Sequence, residues 1–82
     1  MKTIQRTEID QRFLKAYRIL YVDGKVDMKK DFCKAVGMIP QNFSVLERGD
    51  LSCTVDNIYN LATTFGVSLD WIFFGVGEFY KQ

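Results

Sequence analysis

Amide and hydroxyl side chains are concentrated in the short segment from Pro40 to Arg48, where Gln41, Asn42 and Ser44 alternate with apolar residues. The spacing predicts a helix that buries its apolar side chains and turns the polar ones outward. An outward Gln or Asn can form two hydrogen bonds with the edge of an adenine base, a contact that gives about 1–3 kcal/mol of discrimination. From these residues alone, an ordinary solvated helix face is the simpler interpretation.

Groups for catalysis or metal binding do not come together in the sequence. The chain has no histidine, and Cys33 and Cys53 have no further ligands at a metal-binding spacing. A zinc site is therefore not expected, and no nucleophile–base pair or phosphate-binding glycine loop can be assembled. The sequence predicts no enzymatic activity, no cofactor or metal, and no small-molecule ligand.

The compartment is indicated by the cysteines and by hydropathy. One disulfide between the two cysteines is possible, but Cys33 falls on an apolar helical face, where a free thiol serves as a small hydrophobic side chain. The N-terminal segment is charged throughout and has no apolar signal-peptide core. No run of about 18 uncharged apolar residues is present to span a membrane. We therefore expect a cytoplasmic chain with no membrane partner.

Charge is divided unevenly along the 82 residues, although the net charge is only +1. Residues 1–36 hold nine Lys/Arg and five Asp/Glu, whereas residues 37–82 hold two and five. Such an asymmetric chain can attract phosphate on one side without a high isoelectric point. Taken by itself, the pattern is explained more simply by chance asymmetry of a solvated surface.

The apolar spacing predicts one all-α domain over residues 1–82, with its core at about 8–76 and short extensions at both ends. The first helix is predicted to begin at a capping box formed by Thr7–Asp10 and to end near Val22. Asp23-Gly24 then forms a turn. A hairpin is the alternative at this turn, but its flanks are too short for stable strands.

Glycine and proline divide the middle of the chain into two short helices. The second helix is predicted from Asp27 or Met28 up to Gly37, which ends it in a left-handed conformation. Pro40 suits the first turn of a third helix, because its missing N–H is not needed there. That helix is expected to run to about Arg48. Two helices joined by a turn of about three residues form the helix-turn-helix pattern.

Two further helices are predicted to complete a compact five-helix bundle. Thr54 and Ser68 are their side-chain caps, and Gly66 and Gly75 are their ends. The inner face of the bundle is expected to hold Phe32, Cys33, Phe43, Leu46, Leu61, Phe65, Trp71 and Ile72. A tryptophan beside phenylalanines also fits a stacking platform for single strands, but its helical spacing favours a packed side chain.

Two separated motifs resemble the lambda-repressor-like family of Cro/CI-type (XRE-type) helix-turn-helix proteins over roughly residues 8–78. In that family, a glycine-containing turn leads into a Ser/Gln-rich helix that ends Ile-Glu-x-Gly, and the corresponding segment here is GMIPQNFSVLERG from Gly37. The family's later motifs, Leu-Ala-x-x-Leu-Gly-Val-Ser and Asp-Trp-Leu-Leu-x-Gly, correspond to LATTFGVS from Leu61 and DWIFFG from Asp70. The resemblance implies a lambda-repressor-like bundle.

The resemblance also implies that the third helix enters the major groove of DNA and reads base edges with its outward face. The residues at the reading positions are Gln41, Asn42, Ser44 and Val45. Val45 is apolar and suits contact with a thymine methyl group.

Charged residues around this helix receive roles by the same resemblance. Lys29 and Lys30, at the start of the second helix, are expected to meet phosphate together with that helix's N-terminal amides. Arg48 either meets phosphate or only complements the helix C-terminus. Glu47 is expected to pair with Arg18 on the first helix.

The function implied is a sequence-specific, double-stranded-DNA-binding transcriptional regulator of repressor-like type. A homodimer on a two-fold symmetric operator is expected, since one helix reads only a few base pairs. The surplus late aromatic residues Phe73, Phe74, Phe79 and Tyr80 are candidates for the dimer contact. The alternative is a helical protein–protein interaction module, antitoxin- or adaptor-like. The near-neutral charge and the apolar Pro40 and Val45 favour that alternative.

Overall fold

A computed structural model of the chain describes residues 6–81, which fold into a compact bundle of α-helices. The helices are α1 (Arg6–Val22), α2 (Lys29–Val36), α3 (Pro40–Glu47), α4 (Val55–Phe65) and α5 (Leu69–Phe74). The Cα radius of gyration is 12.0 Å, close to the roughly 12 Å of a folded chain of this length. The predicted all-α class is confirmed, and residues 1–5 of the predicted N-terminal extension lie outside the described part.

Most helix ends follow from local signals. The side chains of Thr54 and Ser68 accept hydrogen bonds from the backbone of the first turns of α4 and α5, as predicted. Gly37 ends α2 at φ 76°, in the left-handed region that residues with a Cβ rarely adopt. Asp23-Gly24 forms a turn in a loop, closed by a 2.8 Å hydrogen bond from Lys25 N to Leu20 O, and not a hairpin.

The predicted start of α1 is wrong. The helix already includes Arg6, so Thr7 lies inside its first turn and does not cap it. Asp10, predicted to complete a capping box, instead accepts a 2.9 Å hydrogen bond from Cys53 N across the bundle. The start of α2 is also one or two residues later than predicted, because Met28 is extended at φ −138° and ψ 158°.

The core is centred on the ring of Phe32, which is fully buried. It meets the rings of Phe13, Tyr17 and Phe43 edge to face at centroid distances of 5.5, 5.3 and 5.8 Å. Such aromatic pairs contribute about 0.5–1.5 kcal/mol each beyond their buried area. Of the predicted core residues, only Phe65 and Trp71 are half-buried, and the others are buried.

The first and last helices are joined by a side chain that the sequence did not single out. The Arg12 guanidinium donates to the carbonyl oxygens of Ile72 and Phe73 at 2.6 and 2.8 Å. These carbonyls belong to the last turn of α5, where helix geometry leaves acceptors free. Arg12 therefore supplies donors from α1 for two carbonyls at the end of α5, in addition to the Gly75 N–H that bonds Trp71 O.

The C-terminal residues pack on the bundle instead of extending from it. The Ser68 N–H donates to Phe79 O at 2.8 Å, and the Lys81 N–H donates to Gly66 O at 2.7 Å, around an isolated antiparallel bridge. The Phe79 ring meets Trp71 edge to face at 4.7 Å. Of the four aromatics predicted for a dimer contact, Phe73, Phe79 and Tyr80 are half-buried against their own chain, and only Phe74 is exposed.

No helix within residues 6–81 has the length and apolar content needed to cross a bilayer.

Candidate nucleic-acid interface

The turn between α2 and α3 is held by backbone and side-chain contacts on both sides. Met38 is buried, and its N–H donates to Cys33 O at 2.8 Å. Asn42 N and Phe43 N both donate to Ile39 O, which starts α3 without any side-chain cap. The direction of α3 relative to α2 is therefore set by a short, anchored connection.

Two asparagines of α4 bind the C-terminal end of α2. Asn57 is only 6% exposed, and its amide nitrogen donates to Val36 O at 2.9 Å and to Gly37 O at 3.4 Å. The Asn60 amide donates to the same Val36 oxygen at 3.2 Å. Asn57 also completes a capping box with Thr54. The spacing Thr-x-x-Asn was a signal for that cap, but nothing in the sequence indicated the bonds to α2.

The two faces of α3 differ as the sequence predicts. Phe43 and Leu46 are each 2% exposed and join the core. Gln41, Asn42 and Ser44 are exposed, and Val45 is half-buried between the two faces.

Within residues 6–81, no hydrogen bond engages the side chain of Gln41, Asn42 or Ser44. Their donors and acceptors are therefore presented to solvent, and α3 is held in place by its apolar face. A ligand that approaches this surface meets unbonded amide groups on a helix that the core holds in place.

The ion pair of Glu47 is not the predicted one. Its carboxylate oxygens lie 3.2 and 3.3 Å from Lys29 Nζ, so the pair links the start of α2 to the last turn of α3. Arg18, the predicted partner, only lines a surface cleft that Lys29 and Glu47 also line. Lys29 is favoured as the partner of Glu47 because its ammonium group also lies 5.6 Å from the centroid of the Phe43 ring, where a cation–π interaction adds to the ion pair.

The three cations predicted to meet phosphate differ in their surroundings. Lys29 and Glu47 are 54% and 40% exposed, so their pair contributes only about 0.2–1 kcal/mol. Arg48 Nε lies 3.8 Å from Asp50 Oδ2. Lys30 is exposed, and no carboxylate of residues 6–81 pairs with it. Lys30 is therefore the predicted phosphate ligand whose charge is not already compensated.

Cys33 is a buried thiol outside any disulfide, as predicted, and Cys53 is buried as well. Burial raises the pKa of the Cys33 thiol above its ordinary value, although nearby Lys29 acts in the opposite direction. A thiol held protonated in this way is a poor nucleophile. No group of three or more His, Cys, Asp or Glu side chains in the described part is arranged to hold a metal ion.

The fold and the site define a small all-α domain with an exposed polar helix. Comparison of the chain with protein-family models, with curated proteins and with solved structures found no match.

Proposed function

We propose that the chain is a sequence-specific double-stranded-DNA-binding regulator of the helix-turn-helix type, with α3 as the helix that enters the major groove. One observation carries the proposal: α3 is anchored by Phe43 and Leu46 and presents Gln41, Asn42 and Ser44, which are unbonded within residues 6–81. Gln and Asn amides match the donor and acceptor of an adenine edge in that groove.

The basic residues at the start of α2 supply the phosphate contacts in this proposal. The Lys30 ammonium group can bind a phosphate directly, whereas Lys29 must first break its ion pair with Glu47. Because the ion pair is exposed and weak, a phosphate can replace the carboxylate at small cost. We place the strongest backbone contact on Lys30 for this reason.

Two copies on a two-fold symmetric site complete the proposal. A single α3 covers only a few base pairs, and paired half-sites about one DNA turn apart give the length of sequence needed for selectivity. We also propose a cytoplasmic location, since a reducing compartment keeps a buried thiol such as Cys33 out of disulfides.

A protein–protein interaction module is the second candidate, and the exposed apolar side chains favour it. Val55 is 79% exposed and Phe74 is 59% exposed. Both lie outside α3, so a partner protein that contacts either residue and DNA that contacts α3 bind different parts of the chain.

Selection of binding sites from a random duplex pool tests the proposal. We expect a palindromic sequence to be enriched, and we expect Gln41→Ala and Asn42→Ala to alter the preferred bases. Gln11→Ala, at an exposed amide on α1, is the matched control and leaves the preference unchanged. A pool that shows no enrichment refutes the proposal and favours the interaction module.

Salt titration separates the phosphate contacts from base readout. Lys30→Ala is expected to weaken binding to all sequences alike and to lower the slope of log affinity against log salt by about 1. Lys81→Ala, which removes an exposed lysine from the C-terminal segment, is the control and keeps the parent slope. An unchanged slope for Lys30→Ala removes Lys30 from the interface.

A further inference from the structure

A notch without charge lies beside the start of α3. It has a volume of about 250 Å³, and Ile39, Asn42 and Leu51 are among its lining residues. Every lining side chain is apolar, amide or hydroxyl, and none is ionisable at neutral pH. A phosphate group would find no Lys or Arg side chain there to pair with.

Two apolar side chains that line the notch are open to solvent. Ile39 is 57% exposed and Leu51 is 38% exposed. Ile39 also occupies the N-cap position of α3, where Ser, Thr, Asp or Asn would stabilise the helix and a large apolar residue does not. The side chain at this position therefore does not serve the stability of α3.

From these observations we infer that the notch recognises an A·T base pair, an inference that rests on the proposed function. The Asn42 amide bonds the adenine, and Ile39 with Leu51 contacts the 5-methyl group of the thymine paired with it. The thymine methyl is the one apolar group that the major groove displays. An amide beside two aliphatic side chains matches the mixed polar and apolar edge of A·T.

A G·C pair fits the notch less well. Guanine presents two acceptors, which are matched by the paired donors of Arg or Lys, and neither residue type lines the notch. Cytosine carries no methyl group for Ile39 or Leu51 to cover. The notch thus adds discrimination at a base pair other than those that Gln41 and Ser44 contact.

Replacing thymine by deoxyuridine tests the inference without altering the protein. This change removes only the 5-methyl group from a duplex selected as described above. We expect one thymine in each half-site whose replacement lowers affinity about three- to fourfold, the effect of withdrawing one methyl-sized apolar group from a contact. Selected sites in which every thymine tolerates the replacement overturn the inference and leave the proposed function standing.

Protein variants assign the effect to the notch. The double variant Ile39→Ala with Leu51→Ala is expected to bind the thymine and deoxyuridine duplexes equally, with an unchanged circular dichroism spectrum because both side chains are exposed. Val22→Ala, at an exposed apolar residue at the end of α1, is the control and keeps the full difference. A double-variant chain that still distinguishes the two duplexes overturns the inference. Absence of any selected sequence instead refutes both the inference and the proposed function.

Discussion

Replacing Asn57 by alanine tests whether the polar link between α4 and α2 holds the bundle together. The substitution removes two short hydrogen bonds, from Thr54 N to Asn57 Oδ1 and from Asn57 Nδ2 to Val36 O, both 2.9 Å, and a longer one to Gly37 O at 3.4 Å. A net contribution of about 1 kcal/mol for each short bond, with a smaller contribution from the longer one, gives a destabilisation of about 2–3 kcal/mol.

This destabilisation is a large fraction of the free energy of unfolding expected for the chain. At about 0.05–0.15 kcal/mol per residue, 82 residues have a total stability of about 4–12 kcal/mol. Urea unfolding followed by circular dichroism measures the change. With a slope of about 1–2 kcal/mol per molar for a domain of this size, we expect the Asn57→Ala midpoint to fall by about 1–3 M.

Asn60→Ala is the matched control for this substitution. Asn60 is half-buried and gives Val36 O a single 3.2 Å hydrogen bond, so its loss is expected to cost only about 0.5–1 kcal/mol. The Val36 carbonyl oxygen keeps one hydrogen-bond donor in either single variant. If Asn57→Ala proves no more destabilising than Asn60→Ala, the buried amide contributes nothing beyond its neighbour, and the reasoning is refuted.

Two further results are expected from contacts made by α1 and by the C-terminal segment. Arg12→Ala is expected to cost about 2 kcal/mol in the same urea assay, because the last-turn carbonyls of α5 lose a charged donor. Arg18→Ala, at an exposed arginine on the same helix, is expected to stay within about 0.5 kcal/mol of the parent, and equal losses would contradict the capping role. Burial and the hydrogen bond to Asp23 raise the pKa of Tyr80 to about 12. Because the folded state thus favours the neutral phenol, this contribution to stability is complete below about pH 10 and is lost as the pH rises towards 12. The loss should disappear in Tyr80→Phe and persist in Tyr59→Phe, and identical alkaline unfolding of all three chains would contradict it.

Local chemistry made much of the fold predictable. Gly37 ends α2 because few other residues adopt its φ of 76°, and Thr54 caps α4 through a hydrogen bond to a backbone group three residues away. The exposed positions of Gln41 and Asn42 follow from the burial of their apolar neighbours at helical spacing. Each of these features depends on residues within one or two helical turns of each other, so it can be predicted from that short segment of the sequence alone.

The remaining features depend on partners distant in the sequence. Arg12 caps a helix 60 residues away, and the burial of Asn57 depends on how closely α4 approaches α2. Glu47 had more than one basic residue within plausible reach, and only the packed bundle selects Lys29 over Arg18. The capping box at Thr7 failed for a different reason, since a threonine hydroxyl caps a helix only where the helix begins.

The ion pair between Lys29 and Glu47 provides a competitor for DNA phosphate within the chain itself. A duplex that recruits Lys29 must displace a carboxylate 3.2 Å away, so the attraction gained is the difference between two ion pairs. Random DNA is retained almost entirely by such attraction, whereas a cognate sequence is also held through its bases. Under the proposed function, the acidic residue lowers the affinity for cognate and random DNA by the same factor, so the base contacts alone still set the ratio of the two affinities, and this ratio decides where a scarce protein resides on a genome.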